Sequence, residues 1–156
     1  MPAQVPSDPP GKGLYKLTLY TDGSCKGNPG DGGAGAVIKN EQGKTISRIK
    51  RYLGPVTNNI AEYQALILGL QEAQRLGATD IAIYLDAELV VNQITGVYRV
   101  RDRRLKTLEG EVRKLLGGFT RWAIRQIPRE ENREADRLAR EAVREKADQV
   151  VAGPTG

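Results

Sequence analysis

Residues Tyr20–Gly35 read "YTDGSCKGNPGDGGAG". Gly, Asp, Asn, Ser and Pro dominate the stretch, and these are residues of tight turns. The run before it, "LYKLTLYTD", alternates Leu17 and Leu19 with Lys16 and Thr18, the period of a strand. Within the stretch, Gly30–Gly35, "GDGGAG", fits the dinucleotide fingerprint G-x-G-x-x-G. That fingerprint works only where a helix starts at its glycines and turns its free N–H groups on a pyrophosphate. Here "AVIKNEQGKTISR" follows, which alternates like a strand and carries a turn at Glu41–Gly43. The stretch is therefore read as a glycine loop that presents Asp22. Its glycines are expected to turn the chain and to let a second backbone come close.

Working outward, Ala34–Leu53 reads as two strands joined by that turn. "TNNIAEYQALILGLQEAQRLG" is a helix, with cap residues at Thr57–Asn59 and Gly77 after its last turn. "TDIAIYLDA" is a short strand, 87–97 and 103–116 are helical, and "TRWAIRQI" is a fifth strand. From Asn132 to about Lys146 a helix sets Ala135, Leu138, Ala139, Ala142 and Val143 on one face. Hairpin-linked strands pair antiparallel, and strands separated by a helix pair parallel through right-handed crossovers. The expected fold is α/β, a mixed five-stranded sheet flanked by helices. One domain is expected over 14–147, between flexible tails at 1–13 and 148–156.

The 156 residues suit a single domain with an ordinary core. Cys25 is the one cysteine, so no internal disulfide forms and a reducing, cytoplasmic setting is expected. The N-terminal "MPAQVPSDPPGKG" lacks the apolar core of a signal peptide, and no apolar run is long enough for a membrane span. The net charge of +5 favours a polyanionic partner, and Arg99–Lys106, "RVRDRRLK", packs five cations and one acid into eight residues. Histidine is absent, which removes imidazole-based nucleophile pairs and leaves acid–base or metal chemistry to carboxylates.

Four acids stand at element ends. Asp22 closes the first strand. Glu62 sits early in the long helix among apolar neighbours. Asp86 closes the fourth strand, and Asp136 lies beside the apolar stripe of the last helix. Each has an ordinary structural explanation: a turn residue, the returning partner of a capping box from Asn59, a helix cap, a solvated charge. Together they carry more. If the first and fourth strands are parallel neighbours, Asp22 and Asp86 emerge side by side at the edge where open α/β sheets bind ligands. Carboxylates gathered there repel unless a cation intervenes. Oxygen-only donors favour hard ions, Mg²⁺ first and Mn²⁺ second. Two such ions about 4 Å apart suit phosphodiester cleavage.

"TDGSCKGNPGDGGAGAVI", "TNNIAEYQALILGL", "IYLDAELVVNQITG" and "PREENREADRLAR" follow one another in the order of a known family. The chain resembles type I ribonuclease H from about Leu17 to Ala142. The resemblance implies an endonuclease that cuts the RNA strand of RNA–DNA hybrids, leaving a 3′-hydroxyl and a 5′-phosphate, with two Mg²⁺ ions (or Mn²⁺) held by Asp22, Glu62, Asp86 and Asp136. Asp22 would bridge both ions, Asp136 would share the ion of the attacking water, and Glu62 and Asp86 would hold the ion at the leaving oxygen. Glu62 would also lie near a ribose 2′-hydroxyl, the group that marks RNA. Asn28 and Thr57 match positions that grip a DNA-strand phosphate, and Asn58 and Asn59 match positions that reach the minor groove of the hybrid.

There are departures from the family pattern. Ala87 stands where many members have Ser. The loop before Asp136 lacks the histidine that many bacterial members carry, with Glu130, Glu131 and Arg133 as candidate substitutes. The basic helical protrusion of some members is missing, and "RVRDRRLK" is the alternative hybrid-binding segment. Cys25 and Trp122 are expected to be packing residues, with Tyr63 and Tyr84. A monomer is the default. The rival function is a non-catalytic module of the same fold that binds hybrid or double-stranded RNA.

Overall fold

The computed structural model describes residues 13–146 and 148–152. Of the expected tails, residues 1–12 and 153–156 lie outside the described residues. The chain runs β1 (Lys16–Gly27), β2 (Gly30–Lys39), β3 (Thr45–Val56), α1 (Asn58–Arg75), β4 (Asp80–Leu85), α2 (Glu88–Ile94), α3 (Arg103–Leu116), β5 (Arg121–Gln126), a 3-10 turn at Arg129–Glu131, α4 (Arg133–Glu145) and β6 (Asp148–Ala152). The sheet order is β5-β4-β1-β2-β3-β6. β1 pairs antiparallel with β2 and parallel with β4, and β5 adds parallel to β4.

Two expectations about the strands are corrected. Among the described residues the sheet has six strands, not five: Asp148–Ala152, placed in a tail from the sequence, pairs antiparallel with β3, Ile49 opposite Val150. An edge strand pairs on one side only and leaves Val150 48% exposed, so its short run shows no buried-strand pattern. The glycine stretch is also a hairpin rather than a loop. β1 continues to Gly27 and β2 begins at Gly30, with Asp22 opposite Gly35.

The hairpin explains its glycines. A Cβ on Gly23 would strike the Ala61–Glu62 backbone of α1, and one on Gly33 or Gly35 would strike the Ala139 or Ala135 carbonyl of α4. Side chains alternate across a strand, so the two helices clamp opposite faces of the sheet directly through backbone, as expected of these glycines. Beneath α1, Leu66 and Leu70 join Leu17, Leu19, Ile81 and Ile83 in a core that runs on to Leu105, Leu108 and Val112 of α3. α4 seats Ala135, Leu138, Ala139 and Ala142 on the other face, the three alanines being the small residues that close approach requires. Tyr63 is fully buried. Trp122 is not core: on the edge strand β5 it is 40% exposed, because that strand has neighbours on one side alone.

Candidate active site

Pairing between β1 and β4 ends at Tyr20 and Tyr84, whose rings stack with centroids 5.4 Å apart. Two residues beyond that point come Asp22, where β1 has left β4 but still pairs with β2, and Asp86, just past the end of β4. The two strands are parallel neighbours as expected, but Asp22 does not close its strand, because β1 runs on to Gly27 in the hairpin. Asp22 is buried within the β1–β2 hairpin.

Glu62 arrives from the other layer. α1 is capped by Thr57, whose Oγ1 accepts from the Ile60 N–H at 3.2 Å. That satisfies the helix start without Glu62, whose Oε1 instead accepts from the Gly23 N–H at 3.1 Å. Since Gly23 has no side chain, the α1 backbone can come this near to Asp22. Asp136 enters on α4, paired with Arg140 one turn later at 3.1 Å. α2 is not capped by Asp86; its N-cap is Ala87, with no side-chain cap bond. The ordinary explanations for Glu62 and Asp86 therefore do not describe their contacts.

Electrostatics ties the four together. Burial, the Glu62 and Asp86 charges, and the hydrogen bond and charge of Asp136 push the Asp22 carboxyl up to about 10. Glu62 is pushed up to about 8 by burial and then by Asp86, against the Gly23 N–H and Asp22, which favour its charge. Among the described residues no three acids stand close enough to close around one ion. The four lie within Coulombic reach of each other without forming a finished cage.

One residue of the site escapes the sequence pattern. Asn132 precedes α4, where Asn ordinarily caps a helix, yet it makes no cap bond. It is 2% exposed, and its Nδ2 donates to the Thr21 carbonyl and to Asp86 Oδ1, both at 2.8 Å. It thus ties the start of α4, and Asp136 with it, to β1 and to Asp86. Its Oδ1 and the Thr21 hydroxyl are buried without a hydrogen-bond partner among the described residues.

The four predicted substrate residues also meet. Asn28 Oδ1 accepts from the Asn58 N–H at 3.0 Å, joining the β1–β2 turn to the start of α1. Asn28, Thr57, Asn58 and Asn59 line a groove of about 410 Å³ whose far wall is Asp102 and Arg104. "RVRDRRLK" thus reaches this groove. Asp102 caps α3 by accepting from the Arg104 and Leu105 N–H groups, which is the structural role of that acid.

The family model described as "Reverse transcriptase-like" matches residues 20–142. The chain is 40% identical over 128 residues to ribonuclease HI of Halobacterium salinarum, covering 82% of this chain and 64% of that one. The solved RNase H1 from that archaeon superposes with a TM-score of 0.82, over 83% of this chain and 98% of it. The chain belongs to the ribonuclease H family. Within this ribonuclease H family, the N-terminal RNase H domain of a Mycobacterium tuberculosis protein is 39% identical, with a TM-score of 0.80 over 82% of this chain and 98% of that domain. The full M. tuberculosis protein is described as bifunctional, and the chain spans 38% of its length. LC11-RNase H1, solved in complex with an RNA/DNA hybrid, is 36% identical with a TM-score of 0.80, over 83% of this chain and 98% of it. Among the described residues no helix is long and apolar enough to cross a membrane.

Proposed function

We propose that this ribonuclease H family member is an endonuclease that hydrolyses the RNA strand of RNA–DNA hybrids, leaving a 3′-hydroxyl and a 5′-phosphate. The observation that carries the reading is the grouping of Glu62, Asp86 and Asp136, from separate parts of the chain, around the buried carboxyl of Asp22. The relative named ribonuclease HI, and the relative solved with an RNA/DNA hybrid, support the same substrate.

The donor set fits hard divalent ions, Mg²⁺ or Mn²⁺: every donor is a carboxylate oxygen, and cations would relieve the mutual repulsion. Such ions would be held by Asp22, Glu62, Asp86 and Asp136. They would supply Lewis-acid chemistry for an attacking water and a leaving oxygen. Asn132 holds Asp86 and the start of α4 in place. Gly23 fixes Glu62 by its N–H, near where the 2′-hydroxyl of the RNA would lie. Asn28 and Thr57 bind a phosphate of the DNA strand, and Asn58 and Asn59 reach the minor groove. The protein works as a monomer, with no further subunit needed to complete the four acids.

Hybrids labelled on either strand test the substrate. Cutting of the RNA strand alone, blocked by EDTA, is expected. Binding without cutting in either metal would favour the non-catalytic module.

A further inference from the structure

A second groove lies on the α4 side of the β1–β2 hairpin, outside the residues assigned above. Its volume is about 650 Å³, and Lys26, Arg140, Arg144 and Lys146 line it against a single acid, Asp31. All four cations are exposed. Asp31 is engaged by the Tyr52 hydroxyl at 2.8 Å, and the Lys146 ammonium stands 6.0 Å over the Tyr52 ring. Arg140 is held by Asp136. Among the described residues Lys26 and Lys146 enter no ion pair, while Arg144 has only a 3.7 Å contact with Glu145. Cations in the last turn of a helix complement its dipole, which accounts for Arg144 and Lys146. It does not account for Lys26, which arrives from β1 to face them.

The groove continues the candidate active site. Along α4, Arg144 lies eight residues past Asp136, about 12 Å at the helical rise. Along β1, Lys26 lies four residues past Asp22, about 13 Å at the strand rise. One nucleic-acid strand carries a phosphate per roughly 3.4 Å of axis. The groove is thus placed for phosphates about two to four nucleotides from one seated at the four acids. The Asn28–Thr57 groove is on the α1 and α3 side of the same hairpin. Two backbones of one duplex could straddle the hairpin, one in each groove.

We infer that the groove of Lys26, Arg144 and Lys146 binds the phosphodiester backbone of the RNA strand where it leaves the four acids, an inference that rests on the nuclease reading.

The test uses the full chain with Asp22→Asn, which prevents cutting, with and without Lys26→Gln, Arg144→Gln and Lys146→Asn; Asn suits the left-handed backbone at 146 (φ 49°). Binding of a labelled hybrid is followed by fluorescence anisotropy across a salt series. The triple change is expected to weaken binding about tenfold or more and to flatten the log–log salt slope by about two. The loss should vanish on a hybrid whose RNA strand is trimmed to end at the acids. An unchanged slope overturns the groove while leaving the nuclease reading intact. A loss that vanishes only when the DNA strand is trimmed overturns the strand assignment. Failure of the parent to bind any hybrid overturns the nuclease reading, and the groove with it.

Discussion

Asp22 is where the balance of forces is least ordinary. Its folded value near 10 stands above the usual 3.8, so the folded protein binds that proton more tightly than the unfolded chain. Stability from this group is therefore full below about pH 4 and declines as pH rises towards 10. Asp22→Asn removes the repulsion. In chelator at pH 8 the variant should melt above the wild type by at least about 2–4 °C, the shift that 1 kcal/mol produces at this size. Mg²⁺ should close the gap by raising the wild type alone. A variant that melts lower at every pH would contradict the crowding. Asn132→Ala strips the donor from the Thr21 carbonyl and from Asp86, costing about 1–3 kcal/mol. Its single-turnover cleavage rate should fall with hybrid affinity unchanged; an unaltered rate would deny Asn132 its positioning role. The four acids were legible in the sequence because each stands beside an apolar run whose period defines its element, although β1 itself runs past Asp22 to Gly27. Asn132 was not, since an Asn before a helix reads as a cap, and only the fold shows its amide turned inward.

The hairpin and its two clamping helices set the site's dimensions. Gly23→Ala pushes on the Ala61–Glu62 backbone, so overpacking should cost about 1–3 kcal/mol. Because the same residue donates to Glu62, cleavage should fall further than stability alone explains. Gly43→Ala is the control: a Cβ there meets open space, although its positive φ of 80° carries a strain of its own. Equal activity losses in the two variants, at matched stability, would show that Gly23 acts through folding only. The elements were mostly readable from period, caps and turns. The exceptions share a cause. β6 and the exposed Trp122 of β5 lie at the two edges of the sheet, where one missing neighbour erases the burial pattern that identifies a strand. The glycine run hid a hairpin because its residues lack the β-branched side chains that mark strands; what it packs against, helix backbone on both faces, is a tertiary fact.

Over the whole molecule, the sheet order separates what holds the fold from what performs the chemistry. β6 is three strands away from β1. Ending the chain after residue 147 removes five cross-strand pairs and the Arg51–Asp148 ion pair at 2.8 Å. The loss should be on the order of 1–3 kcal/mol, read as a lower melting temperature, with cleavage per folded molecule unchanged. A truncated chain that folds but does not cut would tie β6 to the site. The groove on the α4 side of the β1–β2 hairpin, four cations against one acid, gives the +5 charge a direction that composition alone does not supply. The central claim is that the four acids form one metal-dependent centre for cutting RNA in a hybrid. The most direct measurement is single-turnover cleavage of a hybrid with end-labelled RNA, by the wild type and by Asp22→Asn, in Mg²⁺, Mn²⁺ or EDTA. The account predicts cutting of RNA by the wild type with metal only, and none by a variant that still binds the hybrid. Cutting by Asp22→Asn at the wild-type rate, or by the wild type in EDTA, would contradict it.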